Sequence, residues 1–198
     1  MFLPSLLVGR AVSRLREDVA RYCRMCNRSA TVSFSAGLAA FLSPRMAPVV
    51  LLRVAEMTYS RRPLRLFAKF FAALNLLCFG IEVSPRVRIG GGLFLPHTVG
   101  TVIGAEAIGE NCTIMQGVTL GSRWPDIGFT PSERPIVGNG VTICAGAKII
   151  GRVTIGDNAT IGANAVVLED VPPNATVAGI PAKVVRMRAG GQSSGGNG

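Results

Sequence analysis

The sequence predicts a mainly β fold, a parallel β-helix of six-residue repeats, preceded by a small α-helical N-terminal region. Three observations carry that prediction. Aliphatic residues recur every sixth position in three phases: Val83, Ile89 and Leu95; Val102, Ile108, Ile114 and Leu120; and Val137, Ile143, Ile149, Ile155, Ile161 and Val167. A glycine follows many of them, as in Ile89-Gly90, Ile108-Gly109 and Ile155-Gly156, and a small or branched apolar residue stands four positions on (Cys112, Val118, Val141, Ala147, Ala159, Ala165). Charge also divides the chain. Of the net charge of +10, residues 1–80 carry +9 and the remainder +1.

A helical period of 3.6 does not return a strict six, and a flat alternating strand needs no glycine every sixth residue. A solenoid of short strands joined by tight corners needs both. Gly109, Asn111, Gly140, Asp157, Asn158 and Asn164 supply residues that tolerate corner backbone. Three hexads make a triangular coil of about 18 residues, with coils stacked about 4.8 Å apart.

The helical region, residues 1–80, comes first. Leu6 to Cys26 has helical periodicity and many arginines; Pro44 and Pro48 punctuate; Val49–Ser60 and Pro63–Phe79 read as two further helices. The last is apolar almost all round, but with Lys69 and Asn75 inside it falls short of the roughly 20 apolar residues of a membrane span. Burial against the first coil or in an oligomer interface is expected. Peripheral attachment to an anionic membrane through residues 1–80 is the second expectation. No recognition motif or aromatic stacking pattern accompanies the arginines, so nucleic acid is not an expected partner. Arg10, Arg14 and Arg16 follow too soon after the short apolar start for a secretory signal. Cys23 and Cys26 have CxxC spacing without a second pair or a nearby histidine, so no metal is expected. Scattered cysteines fit a reducing cytoplasm.

The β-helix is expected over 81–186. Residues 121–136 interrupt its hexads with a loop holding the chain's one tryptophan, Trp124, together with Asp126, Phe129, Glu133 and Arg134. A loop this long on a solenoid is usually functional. The tail, 187–198, is rich in Gly and Ser and is expected to be disordered.

The single histidine, His97, stands where the repeat slips by one, between Leu95 and Val102. Imidazole is the side chain best suited to move a proton near neutral pH. His97 is therefore the first candidate for chemistry.

The segments Leu95-Pro96-His97-Thr98-Val99-Gly100, Gln116-Gly117-Val118-Thr119-Leu120-Gly121 and Ala178-Gly179-Ile180-Pro181-Ala182-Lys183, in that order, resemble the serine acetyltransferase branch of the hexapeptide-repeat acyltransferases. The resemblance covers residues 81 to about 186. It implies a left-handed β-helix and acetyl transfer from acetyl-CoA to a hydroxyl. His97 would be the general base, and Glu82, where the family usually has aspartate, would orient it; their separation of 15 residues, three short of one coil, fits adjacent layers near one corner. Acetyl-CoA would lie in a groove between two β-helices of a homotrimer, or a dimer of trimers. Ser122, Ala145, Ala163, Gly179 and Lys183 match its binding positions.

The acceptor positions depart from the family. Pro96 replaces an aspartate and Arg134 a histidine; Gln116 completes the acceptor set. The Leu-Pro-His form and the short basic helical region look more like exopolysaccharide, colanic-acid-type acetyltransferases. A sugar hydroxyl is thus the expected acceptor, in the cytoplasm or at the inner membrane face. Serine O-acetylation for cysteine biosynthesis is the alternative, and a non-catalytic β-helix the alternative of another class. One histidine cannot supply the three zinc ligands of hexapeptide-repeat carbonic anhydrases.

Overall fold

A computed structural model describes residues 4–27, 43–126 and 128–188 of the 198-residue chain. Its core is a prism whose three walls are parallel sheets. One wall stacks β1 (Ile81–Val83), β3 (Thr101–Ile103), β6 (Thr119–Gly121), β9 (Lys148–Ile150) and β12 (Val166–Val167). The second stacks β2 (Arg88–Ile89), β4 (Ala107–Ile108), β7 (Ile136–Val137) and β10 (Thr154–Ile155). The third stacks β5 (Thr113–Ile114), β8 (Thr142–Ile143), β11 (Thr160–Ile161) and β13 (Ala175–Ala178). Antiparallel β14 (Lys183–Met187) closes the edge of the third wall.

In the regular coils paired positions are 18 residues apart, as in Thr142↔Thr160 and Lys148↔Val166. The expected aliphatic ladders fill the prism, with Ile114, Leu120, Ile143, Ile149, Ile155 and Ile161 fully buried. One ladder position differs. Ile103, not Val102, is buried, and it pairs with Val83 below and Leu120 above. The corner after Leu95 takes two extra residues and the corner after Ile103 one fewer, so the net slip of one is shared between them. Corner geometry follows the small residues. Asn111, Asn158 and Asn164 adopt positive φ, and Gly90 and Gly109 sit where a Cβ would lie 2.7 and 2.6 Å from the backbone of the next coil.

The helices cover the open end of the prism. They are α1 (Pro4–Asn27), α2 (Ala47–Tyr59) and α3 (Arg65–Phe79), with a 3-10 turn, Arg62–Leu64, between the last two. An uncovered first coil would leave carbonyls and N–H groups unpaired. Arg53, fully buried, donates to the carbonyls of Ile89 and Gly90 and to Asp18. Asp18, equally buried, accepts from the Leu93 N–H at 2.8 Å. Arg21 donates to the carbonyls of Gly92 and Cys112. Arg21 and Arg53 are thus the hydrogen-bonding cap. Val19, Cys23, Met46, Val49 and Leu52 extend the apolar core beneath them.

α3 is only partly buried within the single chain. Ala68 and Asn75 are buried, but Leu66, Phe67, Phe70, Leu76 and Leu77 face outward. No helix among the described residues is long and apolar enough to cross a membrane. The expected tail falls mostly on 189–198, outside the described residues.

Candidate functional site

His97 sits on the prism edge between the third and first walls. Its corner is held from both sides. The Thr98 hydroxyl donates to the Phe79 carbonyl at 2.8 Å, and the Gly100 N–H donates to the Gly80 carbonyl at 2.9 Å. Gly80 and Gly100 both have positive φ, the conformation glycine adopts without a Cβ penalty. The His97 side chain is exposed, and Pro96 beside it is half-buried.

The same edge continues upward. Gly117 donates to the Val99 carbonyl at 3.0 Å, Gly146 to the Gln116 carbonyl at 2.9 Å, and Asn164 to the Ala145 carbonyl at 2.9 Å. Val99, Gln116, Ala145 and Ala163 therefore form one column, with His97 two residues before Val99 at its foot and Gly179 bonded to Val166 at its top. Lys183 lies on β14 and pairs with Glu169 at 3.5 Å, both exposed. His97 and Ala163, 66 residues apart in sequence, are brought to one edge by the stacking alone.

Glu82 and Ser122 belong elsewhere. Glu82 points outward from β1, paired in register with Val102. No hydrogen bond or ion pair among the described residues joins it to His97. The backbone of the two segments meets through Gly80 and Gly100, but the carboxylate opens toward the other edge of the first wall. There it lines a cleft of about 880 Å³ between α3 and the 121–136 loop, with Ser84, Gly104, Ser122, Trp124 and Arg134. The Ser122 hydroxyl donates to the Trp124 carbonyl at 2.7 Å.

Arg134, expected to meet an acceptor, spends its donors on the loop. One terminal nitrogen donates to the Gly104 carbonyl at 2.8 Å; the other pairs with the Asp126 carboxylate at 3.0 Å. The guanidinium lies 4.1 Å from the centre of the Phe129 ring. Its Nε is buried without a hydrogen-bond partner. The Thr130 N–H and then Arg134 hold the Asp126 carboxyl below the usual carboxylate range. On the Arg86 side, that guanidinium lies 5.8 Å from the Phe129 ring centre and donates to the Tyr59 hydroxyl at 2.8 Å. The loop is thereby tied to the helical cap. Nothing in the local sequence around Arg86, Arg65 or Lys69 marks them as cleft residues; the fold brings them there.

Among the described residues no group of three His, Cys, Asp or Glu side chains could hold a metal ion. Cys23 is packed in the core while Cys26 is exposed on the same helix.

Residues 134–169 match the bacterial transferase hexapeptide family model, six repeats. A serine acetyltransferase of Helicobacter pylori is 39% identical over 145 residues, covering 73% of this chain and 82% of that protein. One of Synechococcus elongatus is 42% identical over 143 residues, covering 72% of this chain. This chain spans just over half the length of several curated relatives, 57% in that case. The crystal structure of Neisseria gonorrhoeae serine acetyltransferase in complex with serine superposes with a TM-score of 0.75, at 31% identity, over 91% of this chain and 71% of that one. These relatives carry the name serine acetyltransferase, so the expected resemblance to exopolysaccharide-type enzymes is not supported. The Leu-Pro-His form that suggested it is a local feature of one corner.

Proposed function

The chain belongs to the serine acetyltransferase family of hexapeptide-repeat acyltransferases, and from that premise we propose that it transfers acetyl from acetyl-CoA to a hydroxyl, with L-serine the favoured acceptor. The observation that carries the reading is the column of Val99, Gln116, Ala145 and Ala163 on one edge with His97 at its foot, and Ser122 with its loop on the next. The residues matched to acetyl-CoA binding are thus divided between two edges of one chain. In a trimer, the column of one subunit and the Ser122 edge of its neighbour form the two sides of a groove. Assembly as a homotrimer, or a dimer of trimers, is part of the proposal.

In this mechanism His97 removes the proton from the acceptor hydroxyl as its oxygen attacks the thioester carbonyl. The tetrahedral intermediate collapses, the C–S bond breaks, and the imidazolium returns the proton to the CoA thiolate. General base catalysis of this kind contributes about 10²–10⁴-fold. His97 is exposed at a corner fixed by Thr98 and Gly100, so the imidazole is free to meet both substrates while its backbone cannot drift. Glu82 is assigned as its positioning residue on the motif match alone; in the single chain its carboxylate lines the cleft and makes no hydrogen bond to His97.

Pro96 offers no charge to an amino acid's ammonium group, and Arg134 is committed to its loop. Acceptor choice is therefore the point to test. Purified protein with acetyl-CoA is offered L-serine and a panel of sugars and nucleotide sugars while CoA release is followed. Serine-dependent release that His97→Ala reduces at least 100-fold is the expected result. Equal release by His97→Ala refutes the mechanism and favours a non-catalytic β-helix; release with a sugar alone refutes serine.

A cytoplasmic location is proposed with the activity. A peripheral contact with an anionic membrane is proposed for the outward face of α3, supported by the exposed Leu66, Phe67 and Phe70 beside Arg61 and Arg62. Binding to anionic but not neutral vesicles, lost in Phe67→Glu/Phe70→Glu, is the expected outcome.

A further inference from the structure

The cleft between α3 and the 121–136 loop carries a charge imbalance that the acetyl-transfer chemistry does not explain. Arg65 and Lys69 stand one turn apart on α3, and Arg86 and Arg123 also line the cleft. None of the four forms an ion pair among the described residues, whose salt bridges all involve other cations. The lining has two carboxylates. Asp126 is neutralised by Arg134, which leaves Glu82 against four cations. Like charges at i and i+4 on a helix repel, and neither Arg65 nor Lys69 is turned away to a carboxylate.

Two of the four cations are also held in place. Arg65 lies 5.1 Å from the centre of the Tyr59 ring, and the hydroxyl of the same tyrosine accepts from Arg86. Arg86 is steadied further by the Gly128 carbonyl and the Phe129 ring. Two guanidinium groups organised around one aromatic side chain, with planar donor edges left over, are suited to bidentate contact with a tetrahedral oxyanion. Trp124, 75% exposed, presents a free aromatic face on the same cleft.

We propose that this cleft binds a phosphate ester, with the phosphate between Arg65, Lys69, Arg86 and Arg123 and the organic part against Trp124. A carboxylate carries one negative charge, whereas a phosphomonoester carries about 1.5 to 2 near neutral pH and three acceptor oxygens. Only the latter offsets the excess of cations. Two sources share this chemistry: a phosphorylated small molecule that occupies the cleft for itself, and the phosphates of CoA. Occupancy does not depend on the acetyl-transfer reading. The cleft's relevance to acceptor choice, through Glu82 and Ser122, rests on it.

The single tryptophan makes the test direct, because all of the chain's tryptophan emission comes from the cleft. The full chain, in phosphate-free buffer, is titrated with glucose 1-phosphate, pyrophosphate, CoA and dephospho-CoA. L-serine and acetate serve as controls at matched ionic strength. Saturable change with phosphate compounds, weakened by salt and absent with acetate, is expected. Arg65→Glu/Lys69→Glu should raise Kd on the order of 10-fold or more, and Arg123→Ala should raise it less. Arg16→Glu, exposed on α1 and outside the cleft, should leave it unchanged. Both cleft substitutions on α3 are at exposed positions, and an unchanged circular dichroism spectrum confirms folding. Saturation by glucose 1-phosphate and pyrophosphate supports the site as one for a separate phosphorylated ligand; saturation by CoA alone assigns the cations to the acetyl donor and overturns it. No response to any phosphate compound, a response equal to that of acetate, or an unchanged Kd in Arg65→Glu/Lys69→Glu overturns it. CoA release measured in parallel separates the two readings, since turnover without phosphate binding sinks the cleft proposal and leaves acetyl transfer standing.

Discussion

Arg53→Met breaks the joint between the helices and the first coil, and its cost can be worked from the structure. Arg53 donates to both Asp18 oxygens, at 2.8 and 3.1 Å, to Glu56 at 3.0 Å, and to the carbonyls of Ile89 and Gly90. Both side chains of the Asp18 pair have no solvent exposure. Methionine fills a similar volume but leaves Asp18 with the Leu93 N–H alone, and two carbonyls with one donor fewer. Removing one partner of a buried pair costs about 3–5 kcal/mol. At about 2–4 °C per kcal/mol for a chain of this length, the melting temperature should fall by roughly 6–20 °C. The assay is urea and thermal unfolding by circular dichroism at matched protomer concentration. Two controls sharpen it. Asp18→Leu/Arg53→Met removes both charges and should recover part of the loss, leaving the unpaired backbone groups. The loss in Arg53→Met should also depend on pH. Burial already pushes the Asp18 carboxyl up, and without Arg53 it rises further. A raised folded value gives stability that is complete below the unfolded value of about 3.9 and is lost as pH rises through the folded one. The deficit should therefore be smaller at pH 5 than at pH 8. A loss under about 1 kcal/mol, or a double variant no better than the single one, would refute the view that this pair holds the cap.

Other expectations follow from single contacts. Asp126 has a lowered carboxyl, so the loop gains stability above about pH 4 and loses it as pH falls through the folded value; Trp124 emission should show an acid transition that Asp126→Asn lacks, and an identical transition in the variant would count against the anchor. Gly109→Ala would place a Cβ 2.6 Å from the Gly138 carbonyl oxygen and should cost about 1–3 kcal/mol, while Gly121→Ala meets nothing within 4 Å and should melt like the parent; equal melting of the two variants would contradict the stacking geometry. Burial pushes the Cys112 thiol up, whereas Cys26 and Cys78 are exposed. A thiol reagent should modify Cys26 and Cys78 in the native protein and Cys112 only after unfolding, a difference that peptide mapping reads directly.

The β-helix was legible because each coil repeats one demand, an inward aliphatic followed by a corner small enough for the next layer. The net slip at His97 was legible for the same reason. Its division was not, since Val102 and Ile103 are both aliphatic and either could fill the ladder. Only the pairing of Val83, Ile103 and Leu120 decides it. The cap was illegible for a different reason. Arg53 meets backbone carbonyls 36 and 37 residues away, and Arg21 one 71 residues away. No local pattern distinguishes such an arginine from a solvated one. Arg134 misled in the same way: aligned on a motif it reads as a free cation, but Asp126, Gly104 and Phe129 are already its partners.

The two edges of the first wall are built by different means, and this bears on where specificity can change. The His97 edge consists of corner positions that the stacking itself requires. Gly100, Gly117 and Gly146 lie above one another, a Cβ on Gly117 standing 3.6 Å from Gly146. A substitution there disturbs the solenoid before it adjusts a substrate. The opposite edge carries the inserted loop, whose shape depends on a few side chains, Asp126, Phe129, Arg134 and Arg86, rather than on the ladder. Such a loop can be reshaped at modest cost to the core. Changes of acceptor should therefore map to 121–136 and to the cleft cations, while loss of acetyl transfer maps to His97 and its corner. A library varied at Arg123, Trp124 and Arg86 should alter acceptor preference with melting temperatures near that of the parent. If preference moved only with variants that also lowered stability, the division between a fixed edge and an adjustable one would fail.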